Sequence, residues 1–360
     1  MKLRIIGNPI AGGGKAAPRI KALTALLEAR GHWVDVQLTT KAGDARAWAG
    51  ELPEEPGALD RLIVAGGDGT LNEVLNGLRD PSRVPIVQMP VGTANVLVRE
   101  LGLPWKPAGV AENVDHGIVR RVDLCEIRAL APSPSQGEGG GEGGSERKTV
   151  AAEESSPSLE ATNLRPGTSQ STAPSTSATP PLTQPLPGEE RSQAGWHKFL
   201  VVMSVGFDAM VIEDIHHNRK GKLGFFGYMK PIWRTMRKYT PPVITVRVDG
   251  QPEASGAMVV VANARNYAGL FAVAEQAAMD SGVLDVCLLP RGKVRSLIRF
   301  AWAAFRKKLS RIKDVKYLQG HHVTLESEPP MPVEVDGEHF GQTPVEVRIT
   351  PGVVPIVVPK

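Results

Sequence analysis

Apolar and polar positions along this chain follow two rhythms, and the change falls near residue 118. Before it, short apolar runs each lead into a small or polar turn and then into a stretch with helical spacing. Leu3-Arg4-Ile5-Ile6-Gly7-Asn8-Pro9 reads as a first strand. Ala17–Arg30 has Ile20, Leu23, Leu26 and Leu27 on one face, Pro18 at its start and Gly31 at its end, the pattern expected of a helix. Val34–Leu38 reads as the next strand, Asp44–Leu52 as a helix, Leu59–Ala65 as a third strand and Pro85–Pro90 as a fourth. This alternation predicts a parallel α/β domain of Rossmann-like type over residues 1–118.

Beyond Arg121 the apolar runs shorten and become rich in valine. Val122–Ala129, Phe199–Val205, Val243–Val248, Ala257–Ala262, Leu284–Leu289, His322–Glu326, Val333–Val335, Val345–Ile349 and Val353–Val358 are separated by turn residues. Asp249-Gly250 and Asp336-Gly337 are strong hairpin signals. Residues 119–360 therefore read as a second, mainly antiparallel β domain, interrupted by helices near 222–238 and 292–311.

Composition changes the picture in one place. Residues 131–195 hold eight Glu against four Lys or Arg, and are built from Ser, Pro, Gly, Thr, Glu and Ala without an aromatic residue. Such a stretch cannot bury enough apolar surface to offset its ordering entropy. It is expected to be a disordered insertion, because the strands flanking it look like neighbours in one sheet. The insertion carries a net charge of −4, so a chain of net +4 is +8 elsewhere. Cys125 and Cys287 lie in apolar strand-like segments and are expected to be buried free thiols, which suggests a reducing compartment. The opening residues enter a strand with no signal-peptide pattern, and no apolar run approaches the ~20 residues of a spanning helix.

The richest segment is Val64-Ala65-Gly66-Gly67-Asp68-Gly69-Thr70-Leu71-Asn72-Glu73-Val74. A strand runs into three glycines and an aspartate, and a helix is expected to open at Thr70. Glycines let backbone N–H groups approach an anion, and a helix N-terminus adds further N–H groups. A phosphate chain is the expected ligand. Asp68 suits a Mg²⁺ ion or a hydroxyl better than a phosphate, since like charges repel. The generic phosphate motifs fit poorly. Pro9–Ala16 departs from a Walker A loop at both ends, and no GxGxxG follows a strand. Two further glycine or polar turns follow strands, at Ala11-Gly12-Gly13-Gly14-Lys15 and at Val91-Gly92-Thr93-Ala94-Asn95. In an open parallel sheet the three would gather at the carboxyl edge.

With these pieces placed, the chain resembles the bacterial diacylglycerol kinase-like lipid kinases, relatives of the sphingosine kinases. The resemblance rests on Asn8-Pro9, Gly66–Leu78, Pro90–Asn95, Ser204-Val205-Gly206-Phe207-Asp208-Ala209, Lys222–Tyr228, Asp336-Gly337-Glu338 and the tail Pro351–Pro359. It spans the chain apart from the insertion. It implies a nucleotide domain followed by a β-sandwich, with ATP and Mg²⁺ in the cleft between them. Carried over by position, Asn8, Thr39, Gly66, Gly67, Asp68, Gly69, Thr70, Leu71, Asn72 and Thr93 would line the ATP site. Glu338 matches the general base of the bacterial enzymes. In the sphingosine kinase branch that role falls to the residue matching Asp68, which would serve the metal in either case. Val96 stands where many members have Asp, and Glu275 where a proline is common. A structural Mg²⁺ site of some members would need an aspartate at Ser281; here the aspartate is its neighbour, Asp280, which is the candidate metal ligand there.

Charge adds a partner. Arg291–Lys316 holds ten Lys or Arg and one acid, with Leu297, Ile298, Ala301, Trp302, Phe305, Leu309 and Ile312 at helical spacing. Arg219–Lys238 adds seven basic residues, no acid, and Phe225, Phe226, Tyr228 and Trp233. A basic amphipathic helix with Trp and Phe suits an anionic membrane surface, which places the chain in the cytoplasm against the inner face of the membrane. No nucleic-acid motif is present, and the eight histidines show no metal-ligand spacing. The expected function is an ATP- and Mg²⁺-dependent lipid kinase acting on a diacylglycerol or sphingoid-type hydroxyl. A soluble kinase of the NAD kinase type and a catalytically silent nucleotide- or lipid-binding regulator remain as alternatives, and a homodimer stays open.

Overall fold

The computed structural model describes residues 1–92, 94–131, 195–218, 229–267, 271–290 and 292–360. The insertion read at 131–195, Thr93 and the Lys222–Tyr228 stretch fall wholly or mainly outside them.

The first half alternates as its pattern predicts. β1 (Lys2–Gly7), α1 (Ala16–Ala29), β2 (Trp33–Leu38), α2 (Asp44–Gly50), β3 (Arg61–Gly66), α3 (Asp68–Gly77), β4 (Ile86–Pro90), α4 (Val96–Glu100) and α5 (Pro107–His116) follow in order. The parallel strands lie in the order β2-β1-β3-β4. Leu3, Ile5, Ile63, Val87 and Met89 point to one face, under Ile20, Leu23 and Leu27 of α1 and Val110 and Val114 of α5. Leu62, Val64 and Ile86 point to the other, against Leu71, Val74 and Leu75 of α3. Burying both faces is what makes these strands continuous apolar runs.

One expectation is corrected here. α3 opens at Asp68, not Thr70, with Gly67 as its extended cap residue. Asp68 therefore sits in the first turn, where a carboxylate complements the helix dipole.

The sheet does not stop at β4. β18 (Val345–Val358) pairs parallel with it at Ile356↔Ile86. β18 also runs antiparallel to β5 (Ile118–Ala129) and to β15 (His322–Ser327), and the ladder continues through β8 (Ile244–Val248) to β9 (Ala254–Gly256). The sequence divides 345–358 into two strands. It is one strand, with a register irregularity between Thr350 and Val354. β6 (His197–Phe199) pairs with β5 through Cys125↔Phe199 and Ile127↔His197, so the strands flanking the insertion are neighbours in one sheet, as expected. Deleting residues 133–194 is accordingly expected to leave a single cooperative unfolding transition. A thermal melt that loses its sigmoid in the deletion variant would contradict this.

The second sheet is antiparallel, in the order β14-β13-β10-β7-β16-β17. Its strands are β7 (Val202–Val205), β10 (Met258–Ala262), β13 (Leu284–Leu289), β14 (Lys316–Gly320), β16 (Pro332–Val335) and β17 (Glu338–Gln342). Phe199, Val246, Val323 and Val347 of the first sheet pack with Met203, Val261, Val286 and Val333 of the second, which makes a sandwich. A short hairpin, β11 (Asn266–Tyr267) with β12 (Phe271–Ala272), lies outside both sheets. Cys125 and Cys287 are both buried and free.

Two local departures matter for the site. The run read as one strand over 199–205 is broken, with β6 in the first sheet and β7 in the second. The Asp336 carboxylate accepts the N–H groups of Leu200, Val201 and Val202 at 3.1, 3.1 and 3.0 Å, so the chain turns from one sheet to the other around that side chain. A helix, α6 (Phe207–Asn218), follows Gly206 where only the Phe207-Asp208-Ala209 motif was noted. The remaining helices, α7 (Met229–Lys238) and α8 (Val294–Phe305), fall within the stretches expected to be helical.

Helices α2 and α3 cross at Gly77, where an ideal Cβ would lie 2.0 Å from the Arg46 carbonyl oxygen. Backbone blocks that Cβ and cannot swing aside. Gly77→Ala is expected to cost about 1–3 kcal/mol of overpacking, read as a lower midpoint in urea unfolding with an unchanged slope.

Candidate functional site

Three turns meet at the carboxyl edge of β1, β3 and β4, and their backbones touch. An ideal Cβ on Gly12, whose φ is +59°, would lie 2.2 Å from the Val91 carbonyl oxygen. One on Gly92 would lie 2.5 Å from the Gly67 Cα. The result is a cradle walled by main chain, at the mouth of which α3 begins. The first N–H groups of a helix have no acceptor within it, and the glycines leave them accessible to an anion. The donor set and the missing Cβ atoms fit a nucleotide phosphate chain.

Carboxylates stand around this cradle. The Asp68 Oδ1 accepts the Val96 N–H at 2.8 Å, so Asp68 also caps α4. Burial pushes its carboxyl above the ordinary aspartate value, and the N–H groups of residues 95–97 pull back against that. Asp68 and Asp336 line the same small cavity, about 10 Å³, with Leu71, Asn72, Leu75, Leu97, Leu200 and Val201. That is room for about one water-sized group. Burial raises Asp336 to about 6, with the charge of Asp68 adding to the effect.

Asp336 and Gly337 have φ of +48° and +87° and form the two-residue hairpin turn between β16 and β17. Positive φ at both positions is the geometry that favours Asp-Gly. The turn delivers Glu338 to the cradle. Its Oε1 lies 2.7 Å from where a Cβ on Gly69 would stand, so Glu338 rests against the residue next to Asp68. Behind the turn, Glu334 is fully buried. It accepts the Ser204 hydroxyl at 2.8 Å and the Gly337 N–H. Burial, then the charge of Asp208, raises Glu334 to about 8. Asp208, partly buried and also raised, accepts the Tyr267 hydroxyl at 2.9 Å. The rings of His216 and His217 on α6 each lie within 5.4–6.2 Å of His339, the residue after Glu338.

The sequence-expected residues divide into groups. Gly66, Gly67, Asp68, Gly69 and Glu338 come together at the cradle. Thr70 is buried behind it, its Oγ1 2.4 Å from where a Cβ on Gly66 would stand. Asn8 sits in the first turn, its Oδ1 accepting the Ile10 N–H at 3.2 Å. Thr39 follows β2 and donates its N–H to Gly7 at 2.8 Å. Two others expected to line the ATP site, which also line the cavity beside Asp68, have inward-facing side chains. Leu71 packs in the core, and Asn72, with Asn76, donates to the Lys198 carbonyl at 3.2 and 2.8 Å, tying β6 to α3. Thr93 lies outside the described residues. Asp280, expected to offer a metal ligand, is held by Arg120 at 2.7 Å. Among the described residues no group of three or more His, Cys, Asp or Glu gathers as a metal cluster. Roles for Asp208 and Glu334, and the bonds of Asp336 to residues 200–202, were missed in the sequence. The one available signal was the i, i+2, i+4 spacing of acids at 334, 336 and 338.

The Diacylglycerol kinase catalytic domain family matches residues 2–127, and the YegS C-terminal NAD kinase beta sandwich-like domain matches residues 201–358. Diacylglycerol kinase of Bacillus subtilis is 22% identical over 362 residues, covering 100% of this chain and 97% of that protein. Diacylglycerol kinase of Staphylococcus saprophyticus is 36% identical over 129 residues, 36% of this chain and 42% of that one. A crystal structure of a diacylglycerol kinase from Bacillus anthracis superposes with a TM-score of 0.63 at 20% identity, covering 99% of this chain and 96% of that chain, and establishes the common fold. The chain belongs to the bacterial diacylglycerol kinase-like family of the NAD kinase-like superfamily, a family of phosphotransferases.

Proposed function

We propose that this kinase transfers the γ-phosphoryl group of ATP to the hydroxyl of a lipid, a diacylglycerol or sphingoid-type acceptor, with Mg²⁺. The observation that carries the reading is Glu338 resting against Gly69 at the mouth of the glycine cradle. It puts a carboxylate beside the place where backbone N–H groups would hold the transferring phosphate. The likeness to the Bacillus subtilis diacylglycerol kinase over nearly its whole length supports a lipid acceptor.

In this reading the cradle and the α3 N-terminus hold the phosphate chain in line with the acceptor. The acceptor oxygen bonds to the γ-phosphorus, the bond from phosphorus to the bridging oxygen breaks, and ADP leaves. The hydroxyl proton passes to Glu338. Asp68 would hold Mg²⁺, which when bound neutralises phosphate charge. Asp336 fixes the turn that aims Glu338, through its three bonds to residues 200–202.

The test is transfer from γ-labelled ATP to a panel of lipids in mixed micelles, with NAD as a parallel acceptor. Label in a lipid and not in NAD supports the reading. Label in NAD alone would assign a soluble acceptor. Tight ATP binding with no transfer to any acceptor would assign a silent regulator.

A further inference from the structure

Helix α8 has two apolar faces. Leu297, Phe300 and Ala304 are buried and seat it on the protein. Ile298, Trp302 and Phe305, spaced four and three residues apart, form a second ridge on the outside, 57%, 60% and 53% exposed. The sequence pattern merged the two into one face. The structure sends Leu297, Leu309 and Ile312 inward and leaves the aromatic ridge in solvent. The ridge is held together by its own rings. Trp302 and Phe305 stack with centroids 6.2 Å apart, and Phe305 meets the edge of Phe271 at 6.4 Å.

Cations flank it. At 100° per residue Arg295, Arg299 and Arg306 fall along one side of the ridge, and Lys307 and Lys308 follow at the helix end; all five are exposed. Residues 292–313 contain eight Lys or Arg and no acid. Arg306 lies over the Trp302 ring at 5.7 Å. At the root of α8, Gly292 packs on Tyr239 and Pro241, just beyond α7. α7 itself presents Trp233, 59% exposed, under Arg237 at 4.2 Å. The segment that leaves α7 and the segment that enters α8 thus pack together. Among the described residues no helix is long and apolar enough to cross a membrane.

We infer that the Ile298–Trp302–Phe305 ridge of α8 is a docking face for an anionic lipid bilayer. The rings enter the boundary between headgroups and acyl chains, and Arg295, Arg299, Arg306, Lys307 and Lys308 meet the anionic headgroups. The chemistry favours this occupant over two others. A second copy of the chain would set these cations against their own kind. A nucleic acid would meet the cations first but leave an aliphatic and aromatic ridge without apolar contact. The inference concerns binding and does not require that the chain phosphorylate a lipid.

The test uses the full chain and sedimentation with vesicles of phosphatidylcholine, alone or mixed with phosphatidylserine. Neither lipid offers an alcohol group, so retention at a phosphoryl-transfer site does not contribute. Wild type is expected to sediment with the serine-lipid vesicles and to be released by salt. The Ile298→Ser/Trp302→Ser/Phe305→Ser variant is expected to bind at least about tenfold more weakly, with an unchanged melting temperature because all three side chains are exposed. The Trp302→Leu/Phe305→Leu variant keeps the apolar area and is expected to retain most of the binding. The Arg295→Gln/Arg299→Gln/Arg306→Gln variant is expected to lose the preference for the anionic vesicles. Wild type left in the supernatant, or a serine variant that binds as tightly as wild type, overturns the inference. So does a ridge-dependent dimer or duplex DNA complex in the absence of vesicle binding.

Discussion

Glu338→Gln is expected to lower the turnover of phosphoryl transfer by about 10²–10⁴-fold, the contribution typical of a positioned carboxylate base, while ATP binding and the melting temperature hold. Glutamine matches glutamate in size but cannot take the acceptor proton. Glu338 sits at the start of β17 and is only partly buried, so the exchange removes little packing. Asp68→Asn should behave differently. Asp68, partly buried as well, caps α4 through the Val96 N–H and would hold the metal at the cradle. Its loss of charge is expected to raise KM for ATP as well as lower kcat, and the Mg²⁺ dependence should shift. The two carboxylates are therefore told apart by the split between kcat and KM. If Glu338→Gln turned over at the wild-type rate while Asp68→Asn lost only kcat, Asp68 would be the base and the placement of Glu338 incidental. Carrying the wild-type protein through the same ATP-binding titration shows whether a dead variant is merely misfolded.

The parallel half of the fold was legible because its signals are local. Each strand is a run buried on both faces, each turn carries its own glycines, and each helix repeats its apolar face within its own length. The sandwich was legible as a list of strands, less so as a sheet order. What local pattern could not reach were groups whose partners are far away in the chain. Asp336 reads as half of an Asp-Gly turn, and it is one. Its carboxylate nevertheless breaks a strand that lies about 135 residues earlier, by taking the N–H groups of Leu200, Val201 and Val202. Asn72 and Asn76 read as part of the nucleotide loop, yet they bind the Lys198 carbonyl across the site of the insertion. Periodicity likewise gathers the apolar residues of α8 into one stripe. It cannot tell which of them the rest of the protein covers, because that depends on Phe271 and on the body beneath the helix.

The same distance effect hid Glu334, and it leads to the second large expectation. Glu334 alternates with apolar neighbours on a short strand and would be read as the solvent side. It is 1% exposed, between the Ser204 hydroxyl and the Gly337 N–H, with Asp208 and Asp336 as acidic neighbours. Burial raises its folded value to about 8 from an ordinary 4.5. The sign follows from proton counting. Between these values the folded state holds a proton that the unfolded chain has released, so stability falls as pH rises through that window. The contribution is fully present below the unfolded value and lost above about 8. Each pH unit over which the proton is held is worth about 1.4 kcal/mol, so the loss by pH 9 is on the order of several kcal/mol. Asp336, raised to about 6, adds a slope of the same sign at lower pH. Glu334→Gln keeps an oxygen for the Gly337 N–H and carries no proton to lose. Its melting temperature is expected to vary much less between pH 6 and pH 9 than that of wild type, and to exceed it at pH 9. Because the Gly337 turn aims Glu338, the variant should also keep its transfer activity where Glu334→Leu, which offers no acceptor to that turn, loses it. Melting curves that run parallel for wild type and Glu334→Gln across this range would show that Glu334 is ionised in the folded protein, and that the acids behind the turn share their charge in some other way.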